Sequence, residues 1–369
     1  MNSTPPSPIR IGIAGSSWWV DSMSLPALQD HPLRRVTAIA GRDAPELAQR
    51  WHVDTTYPDW QALLESDAID AAIIATRTIR ISPLPVQRSR QDCTYSARNP
   101  SALTTARPQP WRNWLPPRAI TLTPFTYHYM PAARYLKQLI DEGYLGRPFH
   151  LNLRYFTGFG LAGGYNWRFD RDLAGSGALG DIGSHFLFLA TWFFGPIDAI
   201  CAQLGRLVTR APLTPAGQPY PQGDDNAMLM LKFASGAEGM IHASTLAYEP
   251  TPFGQIHELD FHGDDGALHC RIDWDAQQLI RGAKRGGPIE DLAIPEALWA
   301  GARRDTVHNT YRDVFRTQDT MARRWVTAIA HGEQVWPDFA AGATIQRLMD
   351  AAIRSHEERR WVETEEIVA

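Results

Sequence analysis

Apolar positions follow two different rhythms along this chain. In its first third they gather into short continuous runs, Ile9–Ala14, Arg35–Ala40 and Asp70–Ala75, each closed by turn residues. Such runs predict strands buried on both faces, and the intervening stretches Val20–Gln29, Pro45–Trp51 and Asp59–Glu65 predict helices. Strand and helix alternating at this spacing predict βαβ units and a parallel sheet. After residue 118 the pattern changes. Ile120–Pro124 predicts a strand, Met130–Glu142 an amphipathic helix stopped at Gly143, Phe149–Phe156 a strand, and Gly177–Phe194 a helix with one apolar face. From Ala199 to His269 the alternation predicts several antiparallel strands. Ala227–Phe233 and Ala237–Ser244 form a hairpin about Ser235-Gly236, and Asp264-Asp265-Gly266 is a further turn. Asp319–His331 and Phe339–Glu357 predict closing helices. The expectation is an α/β half over residues 1–125 and an α+β half over 126–369, built on a large, mostly antiparallel open sheet.

Between these halves the pattern fails. Residues 77–118 show neither period, carry many arginines and prolines, and contain no lysine or glutamate. Pro83, Pro85, Pro100, Pro108, Pro110, Pro116 and Pro117 oppose helix and central-strand geometry. The literal segment therefore predicts loop or disorder, which is unusual for a stretch of about forty residues inside a compact domain.

Charge and composition narrow the chemistry. A formal net charge of −4 offers no global attraction to nucleic acid or an anionic membrane. Cys93, Cys201 and Cys270 are far apart, with no metal-ligand spacing, as expected in a reducing cytoplasm. Met1–Pro8 has no apolar core of an export signal, and the apolar stretch near Phe186–Phe194 is too short to span a bilayer.

The first strand leads into Gly12-Ile13-Ala14-Gly15-Ser16-Ser17-Trp18-Trp19-Val20. A dinucleotide site needs a tight turn there, with backbone amides and a helix N-terminus beneath the pyrophosphate. Of the G-x-G-x-x-G pattern only its first glycine, Gly15, survives; Ser17 and Val20 stand in the other two slots. A serine hydroxyl can still donate to phosphate, although a strand-turn-helix with one glycine is equally common without a nucleotide. The cofactor-contact candidates are Gly12, Gly15, Ser16, Ser17, Trp18 and Thr76. At the end of the second strand Gly41 takes the slot usually held by an acidic residue. Arg42 follows, and its guanidinium could pair with a 2′-phosphate, so the reading is NAD(P) with a lean to NADP. Arg42 could equally be a solvated loop residue.

The most informative segment runs from Gly175 to His185. Asp181 and His185 are four apart, so on a helix they share a face, where a carboxylate and an imidazole can hold a hydroxyl and move its proton. The alternative is a helix-start aspartate with a core-facing histidine. Together with Arg10–Gly15, Ile73–Thr76 and Leu139–Gly146, this segment resembles the Gfo/Idh/MocA family (glucose–fructose oxidoreductase, inositol dehydrogenase and rhizopine catabolism proteins) over most of the chain. The resemblance implies a Rossmann domain followed by a substrate and oligomerisation domain. It also implies hydride transfer between a sugar or polyol carbinol and a nicotinamide. His185 would then exchange the proton, and Asp181 would orient substrate or imidazole. Thr126, Tyr127, Trp167 and Arg168 would line the substrate pocket, and the protein would be a homodimer or homotetramer.

That family also carries Glu-Lys-Pro at the end of the fifth strand, its lysine assisting proton transfer. This chain has none, and the motif belongs inside residues 77–118. Read with one base lost after Thr76, codons allowed for Gln87–Pro100 spell Ala-Leu-Glu-Ala-Gly-Leu-His-Val-Leu-Cys-Glu-Lys-Pro; a compensating base near Arg118 restores the frame before Ile120. The segment is thus read as frame-shifted, and the literal chain is expected to be unstable or inactive. The competing readings are a non-enzymatic dinucleotide-binding sensor and an inactive frame-shifted product.

Overall fold

The computed structural model describes residues 7–75, 94–97 in backbone only, 119–248 and 255–367. The chain divides into two compact units. One comprises Met1–Pro124 and Arg312–Ala343, the other Phe125–Tyr311 and Thr344–Ala369. The division is not a single cut near residue 125, because residues 312–343 return to the first unit.

The first unit holds a parallel sheet of β1 (Ile9–Ala14), β2 (Arg34–Ala40), β3 (Thr55–Tyr57), β4 (Ala71–Ile74) and β5 (Thr94–Ala97), in the order β3-β2-β1-β4-β5. The helices between its strands include α1 (Leu25–Gln29), α2 (Ala44–Trp51) and α3 (Trp60–Glu65). The chain order reverses beside β1, where parallel α/β sheets place ligand crevices. The expectation for residues 77–118 needs one correction: Thr94–Ala97 is a strand, registered from Ala71↔Thr94 to Ile74↔Ala97. It falls in the interval that the other reading frame spells as the fifth strand. The rest of that segment lies outside the described residues.

Ile120–Pro124 is apolar and buried, but only Leu122 makes a β-bridge, so it is not a continuous strand. Among the described residues its other polar groups are satisfied by a later segment. Thr123 N donates to Pro337 O at 2.8 Å, Phe339 N donates to Thr121 Oγ1 at 3.1 Å, and Trp325 Nε1 donates to Ile120 O at 3.0 Å. Trp325 lies in the helix Met321–His331 and is fully buried.

The second unit is built on nine strands: β6 (Pro148–Phe156), β7 (Ile197–Gly205), β8 (Asn226–Phe233), β9 (Glu238–Ser244), β10 (Ile256–Gly263), β11 (Gly266–Asp273), β12 (Leu279–Lys284), β13 (Glu290–Asp291) and β14 (Val362–Glu363). Their order is β13-β12-β11-β10-β6-β9-β8-β7-β14. All neighbours are antiparallel except β6 and β9. The β8–β9 hairpin and the turn at Asp264–Gly266 stand where the sequence placed them. The unit also holds α4 (Pro131–Asp141), α5 (Arg171–Ala174) and α6 (Ser184–Phe194). One sheet face packs on α6, with Phe193 against Phe261 and Phe194 against Phe233 at ring distances of 4.9 and 5.6 Å. The expected single apolar face of this helix is instead nearly its whole circumference: of Ser184–Phe194 only His185, Thr191 and Trp192 are not buried. A helix apolar all round belongs inside a core. Among the described residues no helix is long and apolar enough to cross a membrane.

Candidate active site

In the second unit most of the substrate-side candidates gather about the start of α6. Asp181 lies in a π-helical turn, Leu179–Gly183, which runs directly into α6 and its second residue, His185. π-turns widen the helix and recur at functional sites. Ser184 Oγ donates back to Gly180 O at 2.7 Å and helps to hold the junction.

Arg168 reaches Asp181 from a short 3₁₀ turn, Trp167–Phe169, which is capped by the Asn166 side chain accepting from Arg168 N at 3.0 Å. Its Nε stands 3.2 Å from Asp181 Oδ1, with both side chains about one-third exposed. The guanidinium lies over the rings of Trp167 at 4.9 Å and Phe159 at 5.6 Å. The planar cation is therefore fixed by aromatic faces as well as by the carboxylate.

His185 is half-buried, its ring 5.2 Å from Tyr127 and 5.8 Å from Phe125. Tyr127 in turn meets His257 at 4.8 Å and Tyr155 at 6.2 Å. Burial raises the Tyr127 phenol well above its usual range, so it stays a neutral hydroxyl. Burial pushes the His257 imidazole down to about 3, helped by the neighbouring His185, and Trp274 Nε1 donates to its Nε2 at 3.3 Å. Burial likewise lowers His128 to about 4. The wall behind His185 is thus neutral and aromatic. Of the expected pocket residues, Tyr127, Trp167 and Arg168 stand at this cluster. Thr126 is buried at 6% exposure, so its side chain offers little surface to a ligand. The sequence reading missed His257, which nothing but burial distinguishes from a surface strand histidine.

In the first unit, the turn after β1 carries the nucleotide-side candidates. Gly15 takes φ +116° and Gly41 φ +136°, conformations that favour glycine, and Gly15 N donates to Ala40 O at 2.8 Å. A Cβ at Gly41 would meet Gly15 Cα and Ser16 N only in ordinary contact at 3.6 Å, so it is the backbone angle that favours glycine there. Ser17 Oγ is buried and makes no hydrogen bond. A buried unsatisfied hydroxyl at a glycine turn fits a phosphate acceptor, so the residues present suit a dinucleotide. Trp18 is 65% exposed just after it. Gly12 has a different reason to be glycine: inside β1, a Cβ would stand 2.8 Å from Ile69 and 3.0 Å from Leu63, so its need is packing. Arg42 is exposed. The residue beside it, Asp43, was not singled out from sequence, yet its carboxylate stands 3.4 Å from Ser16 Oγ, and its N–H donates to the same oxygen at 3.3 Å. Thr76 lies outside the described residues. The chain's lysines are engaged elsewhere: Lys137 with Asp141, Lys232 over Trp361, and Lys284 with Asp265.

Residues 133–269 match the model of the GFO/IDH/MocA C-terminal domain. The chain is 26% identical to levoglucosan dehydrogenase of Pseudarthrobacter phenanthrenivorans over 368 residues, covering 92% of this chain and 91% of that protein. Over 186 residues it is 27% identical to the NADP-dependent D-xylose 1-dehydrogenase of Haloarcula marismortui, covering 48% of this chain and 52% of that one. Its fold superposes on levoglucosan dehydrogenase in complex with NADH at a TM-score of 0.81 and 22% identity, covering 97% of this chain and 99% of the other.

Proposed function

We propose that this chain, which belongs to the Gfo/Idh/MocA family of oxidoreductases, is an NAD(P)-dependent dehydrogenase of a neutral sugar or polyol. The observation that carries the reading is the convergence of Arg168–Asp181 and His185–Tyr127 on one helix start. Relatives whose names specify sugar dehydrogenases support the substrate class. Ser17 and the amides of the Gly15 turn would hold the pyrophosphate. When bound, the nicotinamide supplies the hydride acceptor. His185 would accept the proton of the carbinol hydroxyl, the role its place at the helix start suits. Asp181 and Arg168 together form a net-neutral acceptor–donor pair suited to neighbouring hydroxyls, and Tyr127, held neutral, can only donate or accept a hydrogen bond.

Asp43 supports NAD rather than NADP. A carboxylate touching the phosphate-binding turn can accept from a ribose 2′-hydroxyl and repels a 2′-phosphate, which outweighs an exposed Arg42. Three exposed methionines of the second unit support self-association. Met230 pairs directly with Met240, Met228 lies on the same sheet face, and all three are more than 40% exposed. Such an apolar patch fits the same face of a second copy.

The absence of lysine from residues 77–118 favours one other reading, a dinucleotide-binding sensor without turnover. The test is a screen of neutral sugars with NAD, led by levoglucosan and D-xylose, on the chain with residues 77–118 read in the other frame and on its His185→Asn variant. General acid–base catalysis by a positioned side chain is worth roughly 10²–10⁴-fold, so turnover that survives the substitution unchanged removes His185 from the reaction. Cofactor binding without turnover of any sugar supports the sensor.

A further inference from the structure

Immediately before β8 stand two buried carboxylates, Asp224 and Asp225, that proton transfer does not use. They face opposite ways. Asp224 Oδ1 accepts from Gly177 N and its Oδ2 from Leu179 N, both at 2.8 Å, and its own carbonyl accepts from Ala178 N at 2.8 Å. These are the N–H groups at the start of the helical segment bearing Asp181 and His185, where no earlier turn can receive them. The approach is so close that a Cβ on Gly177 would stand 1.7 Å from the Asp224 carbonyl oxygen. Asp225 accepts from Leu207 N and Val208 N at 2.9 Å and pairs with Arg210 at 3.5 Å, both side chains 1% exposed. Arg210 donates to Gly160 O at 2.8 Å and Ala162 O at 2.9 Å, and its guanidinium stands 3.5 Å over the Phe169 ring. Phe169 is the neighbour of Arg168, and Phe159 beside Gly160 is one of the rings under the Arg168 guanidinium.

We infer that Asp224, Asp225 and Arg210 are positioning residues that register two loops against one dipeptide, so that Arg168 meets Asp181. Asp224 sets the helix start that carries Asp181 and His185; Asp225, through Arg210, sets the loop that carries Arg168. The geometric claim stands on these contacts alone, whereas its effect on turnover rests on the dehydrogenase reading. A buried charge stripped of one partner is left uncompensated, so each half should fail locally when cut.

The test compares the full-length parent with Asp224→Asn and Arg210→Met by hydrogen–deuterium exchange of peptides over 158–170 and 176–190, and by kinetics on levoglucosan with NAD. Asp224→Asn should speed exchange about tenfold in 176–190 and leave 158–170 near the parent rate, as loss of one charge-assisted hydrogen bond implies. Arg210→Met should do the reverse, and Arg210→Lys should recover part of it. Asp224→Asn should act mainly on kcat, and Arg210→Met mainly on KM. Exchange unchanged in the named peptide, or raised equally in both, overturns the inference. So does the same kcat and KM response in both variants. If Asp224→Asn does not fold by circular dichroism, Asp224→Ser, which retains one acceptor, carries the same expectation. The kinetic arm uses the chain with residues 77–118 read in the other frame; if that parent turns over no sugar, the exchange pattern alone decides the inference, and it is the dehydrogenase reading that falls.

Discussion

His257 makes the second unit sensitive to acid by an amount that can be worked out. Its imidazole titrates near 6.5 when exposed and is pushed down to about 3 by burial against Tyr127, Tyr155 and Trp274. A histidine with a depressed folded-state pKa binds its proton first in the unfolded chain, so stability is full above about 6.5 and is lost as pH falls towards 3. Each pH unit inside that window costs about 1.4 kcal/mol. At pH 5 the loss is 1.5 units at about 1.4 kcal/mol each, or about 2 kcal/mol. His128, lowered to about 4, adds a similar amount over the upper part of the window. His257→Gln can still accept from Trp274 Nε1 but cannot titrate. The assay is urea unfolding of parent and variant at several values between pH 7 and 5, followed through the transition of the second unit. The variant should start lower, because ring contacts are lost, yet its stability should fall less steeply with acid, by about 1.4 kcal/mol per pH unit. Parallel slopes would refute the argument, for His257 would then carry the same proton in both states.

Three further expectations follow from named contacts. Arg168→Met should cost under about 1 kcal/mol of stability, since the ion pair with Asp181 is one-third exposed; yet it should lower kcat/KM for a neutral sugar by about tenfold or more, and kinetics matching the parent would remove Arg168 from substrate binding. Asp43→Asn should weaken NADH and strengthen NADPH in calorimetric titration, whereas Arg42→Ala should change NADH binding less than twofold; the opposite ranking would restore the preference for NADP. Met230→Lys, placing like charges across a symmetric contact, should shift the protein to a smaller species in analytical ultracentrifugation, and an unchanged sedimentation profile would move the self-association surface elsewhere.

How much of this was legible in the sequence depended on whether local pattern or distant partners decided each feature. β1, β4 and the buried end of β2, Ala38–Ala40, were readable because a strand buried on both faces must be continuously apolar, and the β8–β9 hairpin because one face alternates about Ser235-Gly236. Asp181 and His185 were readable from spacing. Ile120–Pro124 was not, since its apolar run is as consistent with a strand as with an extended segment held by residues 337–339. The π-turn at Leu179–Gly183 has no signature distinct from a helix. Asp224 and Asp225 carry no signal of their own in the sequence, because their partners, Gly177, Leu179 and Arg210, are set by tertiary contacts. The parallel pairing of β6 with β9 and the return of residues 312–343 to the first unit depend on contacts between segments far apart in sequence, which residue patterns do not encode.

The frame of residues 77–118 decides which polypeptide should be assayed. DNA sequence across Thr76–Ile120 that cannot spell Glu-Lys-Pro in the other frame would end that hypothesis. The reaction itself is tested most directly by atom transfer. Levoglucosan deuterated at its ring carbons is incubated with NAD and either the literal or the frame-restored chain, and the reduced cofactor is weighed by mass spectrometry. The account predicts one deuterium on the nicotinamide ring with the frame-restored chain, abolished by His185→Asn, and little or none with the literal chain. Reduced cofactor carrying no deuterium, or labelling that persists in His185→Asn, would contradict it.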